Sequence, residues 1–114
     1  MNNEEKKYLD LLIQNKEVFI ITKNECPLCN QLKDLFNTLE VEYTTYLYEE
    51  TEEEINNNYP FKTAMKNATQ GKQFPFCYIN SIYVGGYKQV HQNLITGKLK
   101  EQLNEIGLDY EEDF

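Results

Sequence analysis

Apolar and polar positions along the chain switch between helix-like and strand-like spacing. Apolar side chains three and four residues apart predict a helix over about residues 3–15 and a longer helix over 27–39, whose apolar face begins at Leu28. Between these helices, residues 18–22 form a continuous apolar, β-branched run, which is typical of a strand covered on both faces. Residues 42–48 are rich in Tyr and Thr and predict a second strand.

The second half of the chain continues this alternation. Acidic residues after Thr51 predict a helix start, and helical spacing resumes over residues 61–69 after an interruption. Two short strands, 76–80 and 82–84, flank a tight turn, and terminal helices broken near Gly97 follow. A strand–helix–strand opening implies a parallel pair with a right-handed crossover, and the closing hairpin adds antiparallel strands. The predicted fold class is therefore α/β, with a four-stranded mixed sheet flanked by helices.

Length and charge limit the classes of function. The 114 residues suit one compact domain, which we place at residues 1–108, followed by an acidic and mobile tail at 109–114. The formal net charge of −8 repels phosphate backbones and anionic lipid surfaces, so we expect no nucleic-acid partner and no membrane binding.

Targeting signals are not evident in the sequence. No secretory signal and no apolar run long enough to span a bilayer are present, so we expect a cytoplasmic protein. Thiols are kept reduced in that compartment. A close cysteine pair there is more often catalytic or metal-binding than a structural crosslink.

Cys26 and Cys29 form a Cys-x-x-Cys pair where the buried strand gives way to the following helix. A helix N-terminus carries partial positive charge and free N–H groups, which stabilise the thiolate that attacks disulfides. Lys23 adds a nearby cation, and both effects are expected to lower the pKa of Cys26. Cys29 lies about one helical turn deeper, so Cys26 is predicted to be the nucleophile and Cys29 the resolving thiol. Pro27 suits the first helical position.

A zinc site is the main alternative for a Cys-x-x-Cys pair. Structural zinc takes about four ligands, usually from two such pairs or from added histidines. Cys77 and His91 are the further candidates, and they do not form a second pair. Cys77 alternates with apolar strand residues and is predicted to be a buried core thiol, whereas His91 is predicted on a helix surface. The strand–turn–helix context therefore favours redox chemistry over zinc or an incidental pair.

Four ordered motifs resemble the glutaredoxin family. Cys-Pro-Leu-Cys at 26–29 resembles the Cys-Pro-x-Cys motif of dithiol glutaredoxins, and Lys23 stands where that family places a lysine. The other matches are the stretch that leads to Phe-Pro at 64–75, Tyr-Ile-Asn followed by Gly85 and Gly86, and Leu-x-x-Gly-Lys-Leu at 94–99. Together they cover about residues 17–106, nearly the whole predicted domain.

The resemblance implies a thioredoxin-like fold with a cis peptide bond between Phe74 and Pro75. It implies a monomer that uses glutathione as co-substrate to reduce protein disulfides and glutathione mixed disulfides, with no metal. The backbone of Phe74 would pair with the cysteinyl part of glutathione, and Lys23 and Lys62 would hold its glycine carboxylate. The glutathione-binding residues that it implies are Lys23, Lys62, Gln73, Phe74, Pro75, Tyr87 and Lys88, beside the catalytic Cys26 and Cys29.

Two segments depart from the family pattern. Gln73-Phe74 replaces the usual Thr-Val before the proline. Tyr87-Lys88-Gln89 follows the Gly-Gly pair where the family often has Cys-Ser-Asp, so the acid that would pair with the γ-glutamyl amine is missing, although Lys88 offers charge to the γ-glutamyl carboxylate.

These departures leave other functions open. One is a thioredoxin-like reductant fed by a reductase protein, which the altered segment after the Gly-Gly pair permits. Another is a [2Fe–2S] cluster carrier, which a proline after the first cysteine generally disfavours in the family. A third is a non-catalytic binding module on the same fold, and the intact cysteine pair argues against it.

Overall fold

The computed structural model describes residues 10–11, 13–14, 16–48 and 73–111. Its strands and helices there are β1 (Val18–Lys23), α1 (Pro27–Leu39), β2 (Thr44–Tyr48), β3 (Phe76–Ile79), β4 (Ile82–Gly85), α2 (Tyr87–Thr96) and α3 (Lys98–Asn104). The elements predicted within these residues are confirmed, with bounds that differ by at most one or two residues. The helices predicted from Thr51 and over 61–69 lie outside the described residues. Of the helix predicted over 3–15, positions 10, 11, 13 and 14 are described; the first three are helical and position 14 is a turn.

The strands form one mixed sheet in the order β2–β1–β3–β4. β1 pairs in parallel with β2 and antiparallel with β3, and β3 pairs antiparallel with β4. Every residue of the central strand β1 before Lys23 is buried. A strand with neighbours on both edges and side chains packed on both faces needs apolar residues throughout, which explains its continuous apolar run. The predicted α/β class with a four-stranded mixed sheet is confirmed.

Two apolar clusters cover the opposite faces of the sheet. Successive β1 side chains point to opposite faces, so Val18 and Ile20 join one cluster while Phe19 and Ile21 join the other. On the first face the strands pack against the three helices, through Leu32, Phe36, Leu39, Val90, Leu99 and Leu103. The second face is largely aromatic and contains Ile13, Tyr48, Phe76 and Tyr78.

The β3–β4 hairpin brings the chain back beside the start of α1. Its two-residue turn has positive φ at both Asn80 and Ser81, 54° and 65°. This is the geometry of a type I′ turn, whose twist matches that of the paired strands. After β4, Gly97 at φ 85° ends α2 and begins α3, which confirms the predicted break in the terminal helices.

Leu28 does not begin the apolar face of α1, as the sequence predicted. The buried stripe of this helix consists of Cys29, Leu32, Phe36 and Leu39, whereas Leu28 is 47% exposed. Helical side chains lean toward the N-terminus, so an apolar residue in the first turn extends past the end of the helix instead of onto the sheet.

Tyr110, within the segment predicted as a mobile tail, is buried, whereas the neighbouring Asp109 is exposed. Tyr110 is buried in the first cluster, and the Lys100 ammonium donates to its carbonyl oxygen at 3.0 Å. The same ammonium lies 3.3 Å from the Asp109 carboxylate. The buried Tyr110 ring therefore attaches the start of the predicted tail to the core; the division into a domain and a mobile tail stays a prediction.

Candidate active site

Cys26 and Cys29 lie at the N-terminal end of α1 and are joined by a disulfide, with their Cα atoms 5.2 Å apart. Cys26 is the N-cap of the helix and Pro27 is its first residue. The Cys29 backbone N–H donates a hydrogen bond to the Cys26 sulfur at 3.2 Å. A sulfur therefore accepts at the position where Ser, Thr, Asp or Asn usually caps a helix.

The two cysteines differ in their access to solvent. Cys26 keeps 7% of its surface exposed and Cys29 keeps 1%. A substrate sulfur reaches the more exposed of the two first, so this order supports the predicted roles of nucleophile and resolving thiol. Once the disulfide is reduced, the helix N–H that now donates to the Cys26 sulfur donates to a thiolate, and that stabilises the charged form.

The chain segment that enters β3, residues 73–75, lies beside the start of α2. The peptide bond between Phe74 and Pro75 is cis, as the resemblance implied. Gly86 begins α2 close to this segment: a Cβ there would lie 3.3 Å from the Pro75 carbonyl oxygen and 3.8 Å from that of Gln73. A glycine at this position therefore lets the two backbones approach closely.

Lys23 ends β1 and has an exposed side chain, and its ammonium lies 5.6 Å from the centre of the Phe74 ring. The Phe74 ring stacks on Tyr48, with centres 5.7 Å apart, and meets Phe76 edge-on at 4.8 Å. A cation over the face of an aromatic ring is attracted by the electron density of that face.

A groove of about 470 Å³ runs from the Cys-Pro-Leu-Cys segment, at Leu28, along the start of α2. Four of the predicted glutathione-binding residues line it: Gln73, Phe74, Tyr87 and Lys88. Pro75 is buried, and its carbonyl oxygen lies beside Gly86, which lines the groove. Lys23 does not line the groove, but its ammonium lies over the ring of Phe74, which does. Lys62 lies outside the described residues, so its predicted role stays a prediction.

Sequence reasoning did not assign several residues that line the groove, among them Leu28, Tyr83 and Gln89. Gln89 is held in place because its amide donates to the buried Asn93 at 2.9 Å, and Asn93 in turn donates to Gln102 at 3.3 Å. The signal available for Leu28 was its position between the two cysteines. Tyr83 carries no comparable signal, since strand alternation alone does not distinguish a core residue from a groove residue.

The remaining candidate residues, Cys77 and His91, do not line the groove beside the cysteine pair. Cys77 is fully buried in β3, as predicted, and burial raises the pKa of its thiol to about 12. His91 is exposed on α2, as predicted, and its ring stacks on Tyr87 at 5.7 Å. No group of three or more His, Cys, Asp or Glu side chains suited to a metal ion occurs within the described ranges. In the same ranges no helix has the length and apolar character that crossing a membrane requires.

Comparison with known proteins identifies the family. The family model named Glutaredoxin matches residues 18–84, which is more than half of the chain. The chain belongs to the glutaredoxin family. Together with the adjacent cysteine pair, membership in the glutaredoxin family indicates thiol–disulfide oxidoreductase activity.

Individual glutaredoxins resemble the chain over most of its length. Glutaredoxin-1 of Saccharomyces cerevisiae is 27% identical over 107 residues, which cover 93% of this chain and 96% of the yeast protein. The crystal structure of a buckwheat glutaredoxin–glutathione complex has a TM-score of 0.77 at 22% identity and covers 96% of this chain and 99% of its own. Oxidized glutaredoxin 2 from Chlamydomonas reinhardtii has a TM-score of 0.74 at 23% identity, with 91% and 94% covered. These structures show that the fold is thioredoxin-like, as predicted.

Proposed function

We propose that this glutaredoxin is a glutathione-dependent thiol–disulfide oxidoreductase that reduces protein disulfides and glutathione mixed disulfides. The observation that carries the proposal is the disulfide between Cys26, at the helix cap, and the more deeply buried Cys29. The two sulfurs lie within one helical turn, a spacing at which a disulfide can form and be reduced again. As expected from the sequence, the proposed enzyme acts as a monomer in the cytoplasm.

Reduction of a protein disulfide proceeds in two exchanges. The Cys26 thiolate attacks one substrate sulfur, forms a mixed disulfide and releases the other substrate sulfur as a thiolate. The Cys29 thiolate then attacks the Cys26 sulfur, so that the bound substrate sulfur leaves as a thiolate and the Cys26–Cys29 disulfide forms. The substrate gains two electrons and the enzyme loses two.

Glutathione restores the dithiol. One glutathione thiolate attacks the disulfide at Cys26 and frees Cys29, and a second attacks the glutathione sulfur and leaves as oxidised glutathione with the release of the Cys26 thiolate. Glutathione reductase returns oxidised glutathione to the pool. With a glutathione mixed disulfide as substrate, the Cys26 thiolate attacks the glutathione sulfur, and the other substrate sulfur leaves as a thiolate. A second glutathione thiolate then attacks the bound glutathione sulfur, so that oxidised glutathione and the Cys26 thiolate are released and Cys29 is not required.

The groove beside Leu28 supports a place for glutathione, and one structural neighbour is a glutaredoxin–glutathione complex. In the proposed complex, the Phe74 backbone before Pro75 pairs with the cysteinyl unit. Lys23 and Lys62 hold the glycine carboxylate. Gln73, Tyr87 and Lys88 surround the γ-glutamyl end, where the N-terminus of α2 offers backbone N–H groups to its carboxylate.

A coupled assay tests this proposal. The purified protein is mixed with glutathione, glutathione reductase and a small glutathione mixed disulfide, and consumption of NADPH is followed. We expect turnover that depends on both glutathione and Cys26, with the variant C26S as the matched control. Turnover supported by a thioredoxin reductase but not by glutathione would overturn glutathione dependence and favour the thioredoxin-like alternative. A brown protein with visible absorbance and no turnover would favour cluster carriage.

A further inference from the structure

The Lys23 ammonium lies over an aromatic ring at the entrance to the active site. Its distance from the centre of the Phe74 ring is 5.6 Å, and the lysine is exposed to solvent. The ion pair found among the described residues joins Lys100 and Asp109, at the far end of the chain, and Lys23 takes no part in it. The ring is therefore the contact that orients this ammonium in the described part of the protein.

The Phe74 ring is held firmly by its neighbours. Tyr48 stacks on it with an interplanar angle of 30°, and Phe76 meets it at 63° with centres 4.8 Å apart. Phe74 is half-buried and packs on the aromatic cluster of the second sheet face. Because the packed ring is already restricted, the conformational entropy lost when the contact forms is mostly that of the lysine side chain.

An aromatic ring orients a cation without cancelling its charge. A carboxylate in the same place would neutralise the ammonium and compete with any incoming anion. A ring face attracts the ammonium through its quadrupole and leaves the outward N–H groups free to donate. At an exposed site this attraction raises the equilibrium constant for the ammonium lying over the ring, relative to lying away from it, about twofold to fivefold.

We infer that Phe74 is a positioning residue that holds the Lys23 ammonium at the active-site entrance. Held there, the ammonium stabilises the Cys26 thiolate and receives the carboxylate of an incoming thiol co-substrate. The second of these roles rests on the proposed glutathione dependence, whereas the first does not. The phenylalanine that departs from the family's usual valine thereby acquires a role beyond its backbone.

The test removes the ring and the cation separately and together. The variants F74L, F74Y, K23M and F74L/K23M are made in a C29S background, so that Cys26 is the reactive thiol, since Cys77 is buried. The first measurement is the pH dependence of alkylation by iodoacetamide, and the second is the KM for glutathione in the coupled assay. At pH values below the pKa of the Cys26 thiol, we expect F74L to lower the rate of alkylation about twofold to fivefold. We expect the KM for glutathione to rise by a similar factor.

The pattern among variants separates positioning from packing. F74Y keeps the ring face and is expected to change both measurements less than F74L does, and F74L is expected to add nothing in the K23M background. The Lys100 ammonium also lies over an aromatic ring, that of Tyr110, at 5.1 Å. K100M is therefore the matched control, and it is expected to change neither the alkylation profile nor the KM.

The inference is overturned if F74L and F74Y behave alike, or if F74L has its full effect in the K23M background. If the protein shows no turnover with glutathione, the proposed function fails and the KM measurement is lost. The alkylation profiles still decide the inference in that case, because they require no glutathione.

Discussion

The Cys29 backbone N–H donates to the Cys26 sulfur at 3.2 Å. The redox sulfur is thus also the cap of α1, and any replacement of Cys26 affects both the chemistry and the start of the helix. Loss of a capping acceptor costs about 1 kcal/mol of stability, whereas a hydroxyl retains an acceptor. Serine is therefore the substitution that isolates the chemistry.

Replacement of each cysteine is expected to divide the two proposed reactions. C26S is expected to reduce both protein-disulfide and mixed-disulfide reduction to the uncatalysed rate, because it removes the nucleophile. C29S is expected to abolish most protein-disulfide reduction while mixed-disulfide reduction continues. Rates with both substrates, together with a thermal unfolding curve for each variant, provide the measurement. Equal losses in the two variants would contradict the assigned roles.

The buried Cys77 thiol is expected to make stability depend on alkaline pH. Burial raises the pKa of Cys77 to about 12 from an ordinary value of 9.0. Above about pH 9 the unfolded chain loses a proton that the folded protein retains, so the folded state binds more protons and its stability falls as pH rises. Below about pH 9 the thiol is protonated in both states, so its contribution to the free energy of unfolding is fully present. Urea unfolding of the reduced protein at steps between about pH 8 and 10 measures the slope.

C77A is the matched variant for this effect. It is expected to be less stable at neutral pH by about 1 kcal/mol, since it removes a buried atom, and to show a flatter slope between about pH 9 and 10. Restricting the range to this window limits the contribution of Tyr78, whose pKa burial raises from 10.0 to about 12. A slope that C77A leaves unchanged would refute the assignment.

Gly85 is expected to tolerate no side chain, since it has φ +143° and a Cβ there would lie 2.7 Å from the Gln89 Cβ. G85A is expected to lose about 2–3 kcal/mol in the free energy of unfolding and to weaken binding in the groove, because Gln89 must move. Gly97 at φ +85° has open space around its Cα, so G97A is a matched control that loses about 1 kcal/mol from backbone strain alone. Equal destabilisation by the two variants in urea would show that the steric contact with Gln89 is unimportant.

Glu40 is expected to strain the end of α1. This C-cap has φ 59°, in the left-handed region, and its N–H donates to the Asn37 carbonyl oxygen at 3.1 Å. E40G is expected to stabilise the protein by about 0.5–1 kcal/mol, because glycine adopts this conformation without a steric penalty. Glu105 caps α3 with a right-handed φ of −60°, so E105G is the control and is expected to destabilise. Unfolding midpoints in urea measure both, and a gain from E105G equal to that from E40G would contradict the argument.

Much of the site was predictable because its signals are local. Pro27 at the first helical position and the cysteines one turn apart depend on neighbouring residues only, and the structure places them as predicted. The turn at Asn80 and Ser81 and the helix break at Gly97 are likewise set by backbone preferences over a few residues. The cis bond before Pro75 came from the family resemblance, since the sequence of one chain does not distinguish it from the commoner trans form.

Other features escaped sequence reasoning because they depend on distant partners. Leu28 has helical core spacing, yet it faces a groove because the helix ends beside it. Tyr110 lies in an acidic segment, yet the main core and Lys100 hold it. The alternation of polar and apolar residues predicts which face of a helix or strand is buried. It does not predict which other parts of the protein lie beside the ends of that helix or strand.

The sequence alone determined the α/β class, the strand and helix positions within the described residues, and the cysteine pair at a helix start, since these follow from periodicity and short-range backbone chemistry. Only the tertiary structure decided that the Lys23 ammonium lies over the Phe74 ring and that the space beside Gly86 is closed to a side chain by the Pro75 carbonyl oxygen. Those contacts join residues far apart in the chain, and their geometry is set by how the strands pair and how α2 packs beside them.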